Sequence, residues 1–401
     1  MSKKTKKTKE QIQKEFPFEA KSRIVVQGHQ EEETGIRSDS PTASLLAFNL
    51  ICSISVLQGW PLVACDASTA YLQSKGISRL LILRPPRPPP PGILPTDLLR
   101  AKGSIYGTRD AGRSWWKKLF NAVKAQGWKM SSIEQALFYL FVDGSLTGIM
   151  ASHVDDLFCT GTGEKFFETI KILEKEIHLK VKQDDFRFCG KNVKRVDGRV
   201  ELDQFDAIES IEYIVLKKER RTTPNAPLTE EEKSEFRGLI GSMGWVTRQT
   251  RPDLLVNVSL ASQTMGKPTI QNIIDLNKAV KMMKETSEAK YIFNPNERLT
   301  WDNVIVCVFA DSSFANVEMK SQCGYIIGLT IPEIASGEEV PLLLLETYSG
   351  SIKRVCRSTL AAEANAFLMG SEAGDYVRSL ILEMKHPELS LSDIENRPTK
   401  E

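Results

Sequence analysis

The chain has 401 residues, of which 41% are hydrophobic and 26% charged, an ordinary globular composition with room for two or three domains. Its 53 basic and 51 acidic residues leave a net charge of +2, so bulk charge does not indicate a nucleic-acid partner. Seven scattered cysteines without a C-x-x-C motif argue against a zinc site or a disulfide framework and favour a reducing compartment. Short, interrupted apolar runs and a lysine-rich N-terminus without an apolar core exclude a membrane span and a secretory signal as default interpretations.

The first predicted elements are, in chain order, a polar leader, a strand, a buried helix and a second strand. Residues 1–15 are rich in lysine without apolar periodicity and predict a disordered leader, with a nuclear-import or nucleic-acid-binding arm as the alternative. The segment KSRIVVQGHQ predicts a strand preceded by two cations. The apolar run at 42–58 predicts a buried helix, and PLVACDAS predicts an apolar strand that ends at a carboxylate.

The rest of the chain predicts hairpins separated by helices. Helical periodicity covers 113–126, and ALFYLFVDG, TGIMASH and LFCTG predict successive antiparallel strands joined by DGS and VDD. A helix at 163–178 and a second hairpin around a DG turn follow. Beyond a polar boundary near 216–233, the predicted elements are helices at 231–250 and 270–288, three apolar strands after residue 300, and a helix at 358–384.

Acidic residues at strand ends are the strongest functional signal. Asp155 and Asp156 are adjacent between two apolar strands, and two unit charges about 4 Å apart repel by roughly 1 kcal/mol in water and by several times that near a protein surface. A bound divalent cation with oxygen ligands would relieve this repulsion, and a turn with two solvated charges is the simpler alternative. Asp66 ends the strand of PLVACDAS, where helix capping is the alternative.

A second acidic pair lies near the C-terminus. Asp311 ends an apolar strand, and Glu363 lies in a helix of small and apolar residues, where an exposed position is the alternative. Two sets of strand-end carboxylates that can hold hard metal ions indicate two-metal phosphoryl chemistry. Polymerases and nucleases both use such sites, so the residues alone leave both activities open.

Seven motifs in collinear order resemble one known family. The ordered chain resembles the reverse transcriptase plus RNase H region of copia-type LTR retrotransposon polyproteins. The motifs that carry the resemblance are KSRIVVQGHQ, CDASTAYLQ, GSIYGTRDAGRSWW, HVDDLFCTG, FRGLIGSMGWVTRQTRPDLL, FADSSFANVEMKSQCGYIIGL and RSTLAAEANAF.

The resemblance implies an α+β fold, the right-hand polymerase of fingers, palm and connection, followed by an incomplete RNase H-like α/β domain. The implied segments are the leader at 1–15, N-terminally truncated fingers and palm at 16–215, thumb or connection at 216–300, and a C-terminally truncated RNase H-like domain at 301–401.

The resemblance also assigns roles in the palm. Asp66 looks like the first metal-binding aspartate, and Asp155 and Asp156 look like the paired aspartates of the Y-V-D-D hairpin, with His153 in place of the usual tyrosine. These three aspartates would be catalytic and would hold two Mg²⁺ ions. Tyr71 occupies the aromatic position under the incoming sugar, where its ring would reject a 2′-hydroxyl.

Further residues match nucleotide- and primer-contacting positions. Lys21 and Arg23 resemble the fingers cations that hold the triphosphate, as phosphate-binding side chains should. Arg109 and Arg113 lie in a stretch that resembles the loop and helix contacting template and nucleotide. FRFCGKN around Cys189 resembles the strand pair that steadies the primer end.

In the last domain, Asp311 and Glu363 resemble the first two RNase H carboxylates. The third carboxylate has no convincing counterpart, so RNase H activity is not expected.

Two departures from the family pattern affect the nucleotide-side loop. Asp110 stands where many relatives have glutamine, and Gly112 where many have proline.

The resulting prediction is an RNA-directed DNA polymerase that takes an RNA template, a DNA primer and deoxynucleoside triphosphates, with no membrane partner. The alternative is a decayed or domesticated, non-catalytic remnant that binds nucleic acid, and a nuclease working through Asp311 and Glu363 alone is weaker. The family implies cytoplasmic retrotransposon particles, with the nucleus as the alternative.

Overall fold

The structure is a computed structural model that describes residues 23–31, 35–74, 76–77, 79–317 and 319–396. The predicted leader at 1–15 and the predicted phosphate ligand Lys21 lie outside these residues. The chain forms two compact units, one comprising residues up to Ser40 with Thr69–Phe120, the other Pro41–Ser68 with Asn121–Glu401.

The larger unit is built around one buried helix, α1 (Leu45–Gln58). Its sequence LLAFNLICSISVLQ is apolar on all sides, which is typical of a helix enclosed by other elements. Ser44 caps the N-terminus by accepting from the backbone N–H of Ala47, and Gly59 ends the helix in the left-handed conformation at φ 68°. Glu134 in turn accepts from the backbone N–H of Ser44 at 2.7 Å. The helix predicted at 42–58 is therefore confirmed.

A six-stranded antiparallel sheet packs on α1. Its strands, in spatial order, are β4 (Lys129–Met130), β5 (Leu137–Val142), β6 (Ser145–His153), β7 (Asp156–Gly161), β1 (Leu62–Ala67) and β8 (Leu179–Gln183). Helix α3 (Gly163–Glu176) connects β7 to β8. The strand β1 lies between β7 and β8, so the end of β1 is held from both sides.

A four-stranded sheet and a helical cluster follow in the chain. The sheet consists of β9 (Asp185–Phe188), β10 (Lys191–Val196), β11 (Arg199–Asp203) and β12 (Tyr291–Phe293). The helices are α4 (Phe205–Glu209), α5 (Lys218–Arg221), α6 (Glu230–Gln249), α7 (Leu255–Gln263) and α8 (Ile270–Glu285). Two of these match the predicted helices at 231–250 and 270–288. Helix α7 was not predicted, because it occupies a short stretch between two prolines.

The last part of the larger unit is a three-stranded antiparallel sheet with a long helix on one face. The strands are β13 (Ile305–Val317), β14 (Lys320–Thr330) and β15 (Leu343–Ser351), and the helices are α9 (Thr359–Lys385) and the short α10 (Leu391–Asn396). Close approach of α9 to β13 depends on glycine, because a Cβ added at Gly370 would lie 3.1 Å from the Cβ of Ala310.

Polar contacts join α9 to the main sheet. Glu383 is 1% exposed and accepts hydrogen bonds from the Ser131 hydroxyl (2.6 Å) and from the backbone N–H of Ser132 (2.7 Å). The Tyr376 hydroxyl donates to Glu134 at 3.0 Å. A buried carboxylate needs such donors, so these bonds fix where the helix lies.

The smaller unit contains little regular structure. Its elements are the two-residue strands β2 (Ile82–Leu83) and β3 (Leu99–Arg100), the start of helix α2 (Ala111–Ala125), and short 3₁₀ turns at Gly28–Gln30 and Ala70–Gln73.

The strand predicted over KSRIVVQGHQ is wrong in its described part. Val26 donates one backbone hydrogen bond to the Tyr106 carbonyl (2.7 Å), and the chain then enters the 3₁₀ turn. At this point the backbone of Gly28 packs so tightly on Gly107 that a Cβ on either glycine would collide with the opposing chain. A pleated ladder therefore does not continue.

Helices combined with antiparallel pairings throughout the described residues confirm the predicted α+β class. None of the described helices is long and apolar enough to span a bilayer.

Candidate active site

Strand register places four polar residues in one row across the main sheet. Asp66 on β1 pairs with Asp156 on β7, and Asp156 pairs with His153 on β6. On the other side, Asp66 pairs with Lys180 on β8. Directly opposite residues of antiparallel strands project from the same face, with Cβ atoms about 4.5–5.5 Å apart. Two aspartates separated by 90 residues of chain thus become immediate neighbours.

The third aspartate is held at the tip of the β6–β7 hairpin. The Asp155 carbonyl accepts from the backbone N–H of Ala67 at 2.8 Å, which ties the tip to the end of β1. The preceding residue, Val154, has φ 60°, a left-handed conformation that is strained for a β-branched side chain. Such strain persists only where the surroundings enforce it, and it concentrates at functional sites.

The pKa of Asp156 reports a locally acidic environment. Partial burial, together with the negative charges of Asp155 and Asp66, raises the pKa of Asp156 to about 6. No cation in the described surroundings of Asp156 lowers this pKa. The two neighbouring aspartates therefore destabilise the ionised form of the third.

The donor set fits a hard divalent cation. Among the described residues, no three histidine, cysteine, aspartate or glutamate side chains form a preformed metal cluster. The row nevertheless offers carboxylate oxygens, the ligands that Mg²⁺ prefers, around Asp156, whose pKa no described cation lowers. A bound cation would remove the repulsion that raises the pKa of Asp156.

His153, which replaces the usual tyrosine, is a half-buried member of the row. Burial lowers its pKa, and the nearby Lys191 ammonium lowers it further, whereas a hydrogen bond with the backbone of Ala43 and the charge of Asp155 oppose this. The imidazole therefore favours its neutral form. A neutral ring adds no positive charge to compete with a metal ion at the hairpin.

Lys180 is a row member that sequence reasoning missed. It follows Leu179 in LKVKQ, whose alternation puts Lys180 and Lys182 on the face that carries the carboxylates. That alternation is visible in the sequence. Its meaning depends on the register of β8 against β1, which the sequence does not reveal.

The β9–β10 turn lies close enough to the hairpin tip for the aspartates there to change the pKa of a turn residue. Burial, together with the charges of Asp156 and Asp155, raises the pKa of the Cys189 thiol to about 11, although Lys191 opposes the shift. The turn uses left-handed conformations at Cys189 (φ 45°) and Gly190 (φ 77°), as a two-residue hairpin turn requires. This is the segment predicted to steady the primer end.

In the smaller unit, two of the predicted nucleotide-binding residues pack against the same aromatic ring. The Arg23 guanidinium lies 4.4 Å from the centroid of the Tyr106 ring, and the Tyr71 ring packs against Tyr106 at 5.2 Å in an edge-to-face arrangement. Tyr106 was not predicted, because nothing local in GSIYGT distinguishes it from a core aromatic residue.

The two other predicted arginines are engaged with protein groups. Arg109 donates from Nε to the Gly28 carbonyl at 3.1 Å. Arg113 donates to Asp39 at 3.0 Å and lies 4.7 Å from the centroid of the Trp116 ring. In this state each guanidinium connects its own segment to one near residues 28–39.

Asp110, the departure from the family glutamine, belongs to an ionic cluster. Arg79 forms ion pairs with Asp110 (2.9 Å) and with both carboxylate oxygens of Glu31. The Arg79 and Asp110 side chains are only 15% and 11% exposed. A carboxylate at this position thus has a structural partner that a glutamine would bind more weakly.

The second acidic pair is not brought together by any described contact. Ala310, the residue before Asp311, packs on α9, so strand alternation directs Asp311 to the opposite face of the sheet. Glu363 lies on α9, where its charge acts on Cys323. The pairing of Asp311 with Glu363 therefore stays a prediction without geometric support.

The QTRPD motif has a structural role. Arg251 is 3% exposed and forms a two-point ion pair with Asp253. It also donates to the carbonyls of Met283 and Thr286 at the C-terminal end of α8. These bonds satisfy carbonyl groups that a helix end leaves unpaired.

A strained hairpin that carries two acids beside a third on the adjacent strand, on an antiparallel sheet, is the kind of donor set that metal-dependent phosphoryl transfer uses. The family model described as reverse transcriptase (RNA-dependent DNA polymerase) matches residues 3–228. Because this match covers more than half of the chain, the protein belongs to that family, and the resemblance inferred from the motifs is confirmed.

Curated relatives agree with this assignment. The retrovirus-related Pol polyproteins from transposons RE1 and RE2 of Arabidopsis thaliana are each 24% identical, over 91% and 93% of this chain. The transposon Ty1-GR2 Gag-Pol polyprotein of Saccharomyces cerevisiae is 23% identical over 86% of the chain. The match covers only 25%, 26% and 20% of these three polyproteins, so the chain spans about a quarter of their length.

Proposed function

We propose that the chain is an RNA-directed DNA polymerase of a copia-type retrotransposon, which extends a DNA primer on an RNA template. The observation that supports this most is the acidic row, in which Asp66 and Asp156 are register partners and Asp155 adjoins them. The non-catalytic remnant is not favoured, because the relatives are Pol polyproteins.

The three aspartates would hold two Mg²⁺ ions. When bound, such ions lower the pKa of an attacking hydroxyl and neutralise a leaving pyrophosphate. The protein's contribution would be to hold the backbone of the three aspartates close together, through the bond from Ala67 to the Asp155 carbonyl and the β1–β7 register.

The remaining assignments concern the nucleotide. Lys21 and Arg23 would bind the triphosphate, and the Tyr71 ring would exclude a ribose 2′-hydroxyl. The contacts of Tyr106 with both Arg23 and Tyr71 support a common role for these two side chains. Arg109 and Arg113 would exchange some of their protein partners for template or nucleotide.

The domain assignment follows the family. Residues 16–215 would be fingers and palm, 216–300 thumb or connection, and 301–401 an RNase H-like domain in which Asp311 and Glu363 are the candidate carboxylates. The opposite projection of Asp311 gives no support to nuclease activity. A cytoplasmic retrotransposon particle is the proposed location, with the nucleus as the alternative.

Primer extension tests the polymerase assignment. The purified chain, with an RNA template, a DNA primer, Mg²⁺ and deoxynucleotides, should extend the primer, and Asp155→Asn should abolish extension. The matched control is Asp143→Asn, the same substitution in the turn at the other end of β6, which should leave extension unchanged.

Full extension by Asp155→Asn would refute the metal-site assignment. If the unaltered chain binds a hybrid duplex in a salt-dependent manner but adds no nucleotide, the non-catalytic alternative is correct.

A further inference from the structure

Lys191 is a buried cation at the centre of the larger unit that the proposed chemistry does not use. Its side chain is 2% exposed, and its ammonium lies 3.8 Å from the centroid of the Phe48 ring on α1. Lysine is almost never fully buried unless it is paired, because removing the charge from water is costly. Burial lowers its pKa to about 8, which reflects this penalty.

The partner of Lys191 lies at the C-terminal end of α6. The Lys191 ammonium donates a hydrogen bond to the side-chain carbonyl of Gln249 at 2.6 Å. A hydrogen bond to a charged group stabilises a fold more than a hydrogen bond between neutral groups. The cation therefore links strand β10 to helix α6, and the cation–π contact links both to α1.

The two residues just before Lys191 lie close to α6 and to the acidic hairpin. A Cβ added at Gly190 would lie 3.3 Å from Cζ2 of Trp245, so the turn packs closely on α6. Trp245 and Gln249 are four residues apart and lie on the same face of that helix. The charges of Asp155 and Asp156 raise the pKa of Cys189, the other turn residue. Residues 189–191 thus contact α6 and α1 and lie within electrostatic range of the acidic hairpin.

We propose that Lys191 is a positioning residue, and that its bond to Gln249 holds the β9–β10 turn where the 3′ end of a bound primer strand rests beside the carboxylates. This inference rests on the proposed function and on the primer-end role that the resemblance of FRFCGKN implies for the turn. The contribution of the Lys191–Gln249 bond is specific to this chain and was not predicted from its sequence.

A binding experiment tests the inference without catalysis. A primer–template duplex carries 2-aminopurine at the primer 3′ terminus, and its fluorescence reports the surroundings of that nucleotide, whereas anisotropy reports total binding. Lys191→Met keeps the apolar stem but removes the charge and the donor. We expect near-normal binding and a terminal 2-aminopurine signal shifted towards that of the free duplex.

Steady-state kinetics provide a second readout. Loss of one charge-assisted hydrogen bond should lower kcat about tenfold in Lys191→Met, because the primer end is held less well, with the KM for primer–template and the KM for deoxynucleotide unchanged. Gln249→Leu, at a half-buried position, should have the same effect, and the double variant should be no worse than either single one, because both remove one bond.

The matched control is Lys194→Met, which removes a lysine from the same strand. Its exposed ammonium is 3.5 Å from Asp185, and we expect neither readout to change. Wild-type fluorescence and kcat in both Lys191→Met and Gln249→Leu, or additive losses in the double variant, would overturn the proposal. If Lys191→Met fails to fold, Gln249→Leu still decides. Duplex binding without any primer extension would contradict the proposed polymerase activity instead, so the two failures are distinguishable.

Discussion

Two acidic clusters of this protein, one in each compact unit, differ in whether their central carboxylate forms an ion pair. In the smaller unit, Glu31 and Asp110 both pair with Arg79. In the larger unit, Lys180 lies opposite Asp66, but Asp66 and Asp155 raise the pKa of Asp156, and no described cation lowers it. Both clusters are built from residues distant in sequence, and both are partly withdrawn from water. The first therefore serves stability, whereas the second retains unbalanced charge that a ligand can neutralise.

The largest expected effect comes from replacing one aspartate by asparagine in each cluster and comparing activity and stability. Asp156→Asn should lower primer extension about a thousandfold or more, because a metal ligand supplies several kcal/mol of transition-state stabilisation. It should leave the free energy of unfolding unchanged or higher, since it relieves repulsion. Asp110→Asn should instead lower that free energy by about 1–3 kcal/mol, because Arg79 loses a charged partner. Primer extension and urea unfolding of both variants provide the measurement.

A reversed result would break the comparison. If Asp156→Asn destabilised the protein more than Asp110→Asn, the three aspartates would be structural rather than poised for a cation.

The next effect concerns the cation itself. Arg79→Met should lower the free energy of unfolding by about 3 kcal/mol, because Glu31 and Asp110 would remain partly buried without a partner. The matched control is Arg298→Met, where the guanidinium and Glu338 are 51% and 55% exposed and 3.4 Å apart. Exposed pairs contribute about 0–1 kcal/mol, so this variant should remain close to wild type in urea unfolding. Equal losses would show that the ionic cluster is not specially stabilising.

The smallest effect is on pH dependence. The pKa of Asp156 is about 6 in the folded protein against an ordinary 3.8, so between these values the folded state holds a proton that the unfolded chain has released. The contribution of this carboxyl to stability therefore falls as pH rises through that window. Because the side chain is only partly buried, we expect a change on the order of 1 kcal/mol.

Glu201 should show the opposite behaviour. Lys290, and then Arg199, lower its pKa below the ordinary 4.5, so its contribution is present above pH 4.5 and is lost as pH falls through the folded-state value. Unfolding measured from pH 3 to pH 8 in EDTA should lose the decline between 3.8 and about 6 in Asp156→Asn. In Glu201→Gln, the free energy of unfolding should fall less than in the wild type as pH decreases below 4.5. Profiles identical to wild type in both variants would contradict these assignments.

The local sequence pattern was sufficient to predict an element whose structure depends mainly on residues within the same segment. The apolar run of α1, bounded by Ser44 and Gly59, predicts a buried helix because capping and hydrophobicity act within a few residues. The hairpin that carries Asp155 was predicted for the same reason, since two apolar strands flank a short polar turn. The expected strand over KSRIVVQGHQ was wrong because the close packing of Gly28 on Gly107 involves a segment some eighty residues away.

The amino-acid sequence by itself determined the family, the α+β class, most helices, and the identity of the three aspartates, because motifs and periodicity are local properties. Only the tertiary structure decided which residues accompany them. Lys180 joins the acidic row through strand register, Tyr106 joins Arg23 to Tyr71 through ring packing, and Lys191 reaches Gln249 across the core. The tertiary structure also showed that Asp311 projects away from α9. Side-chain alternation is visible in the sequence, but which of the two faces packs on a helix is known only once α9 is placed.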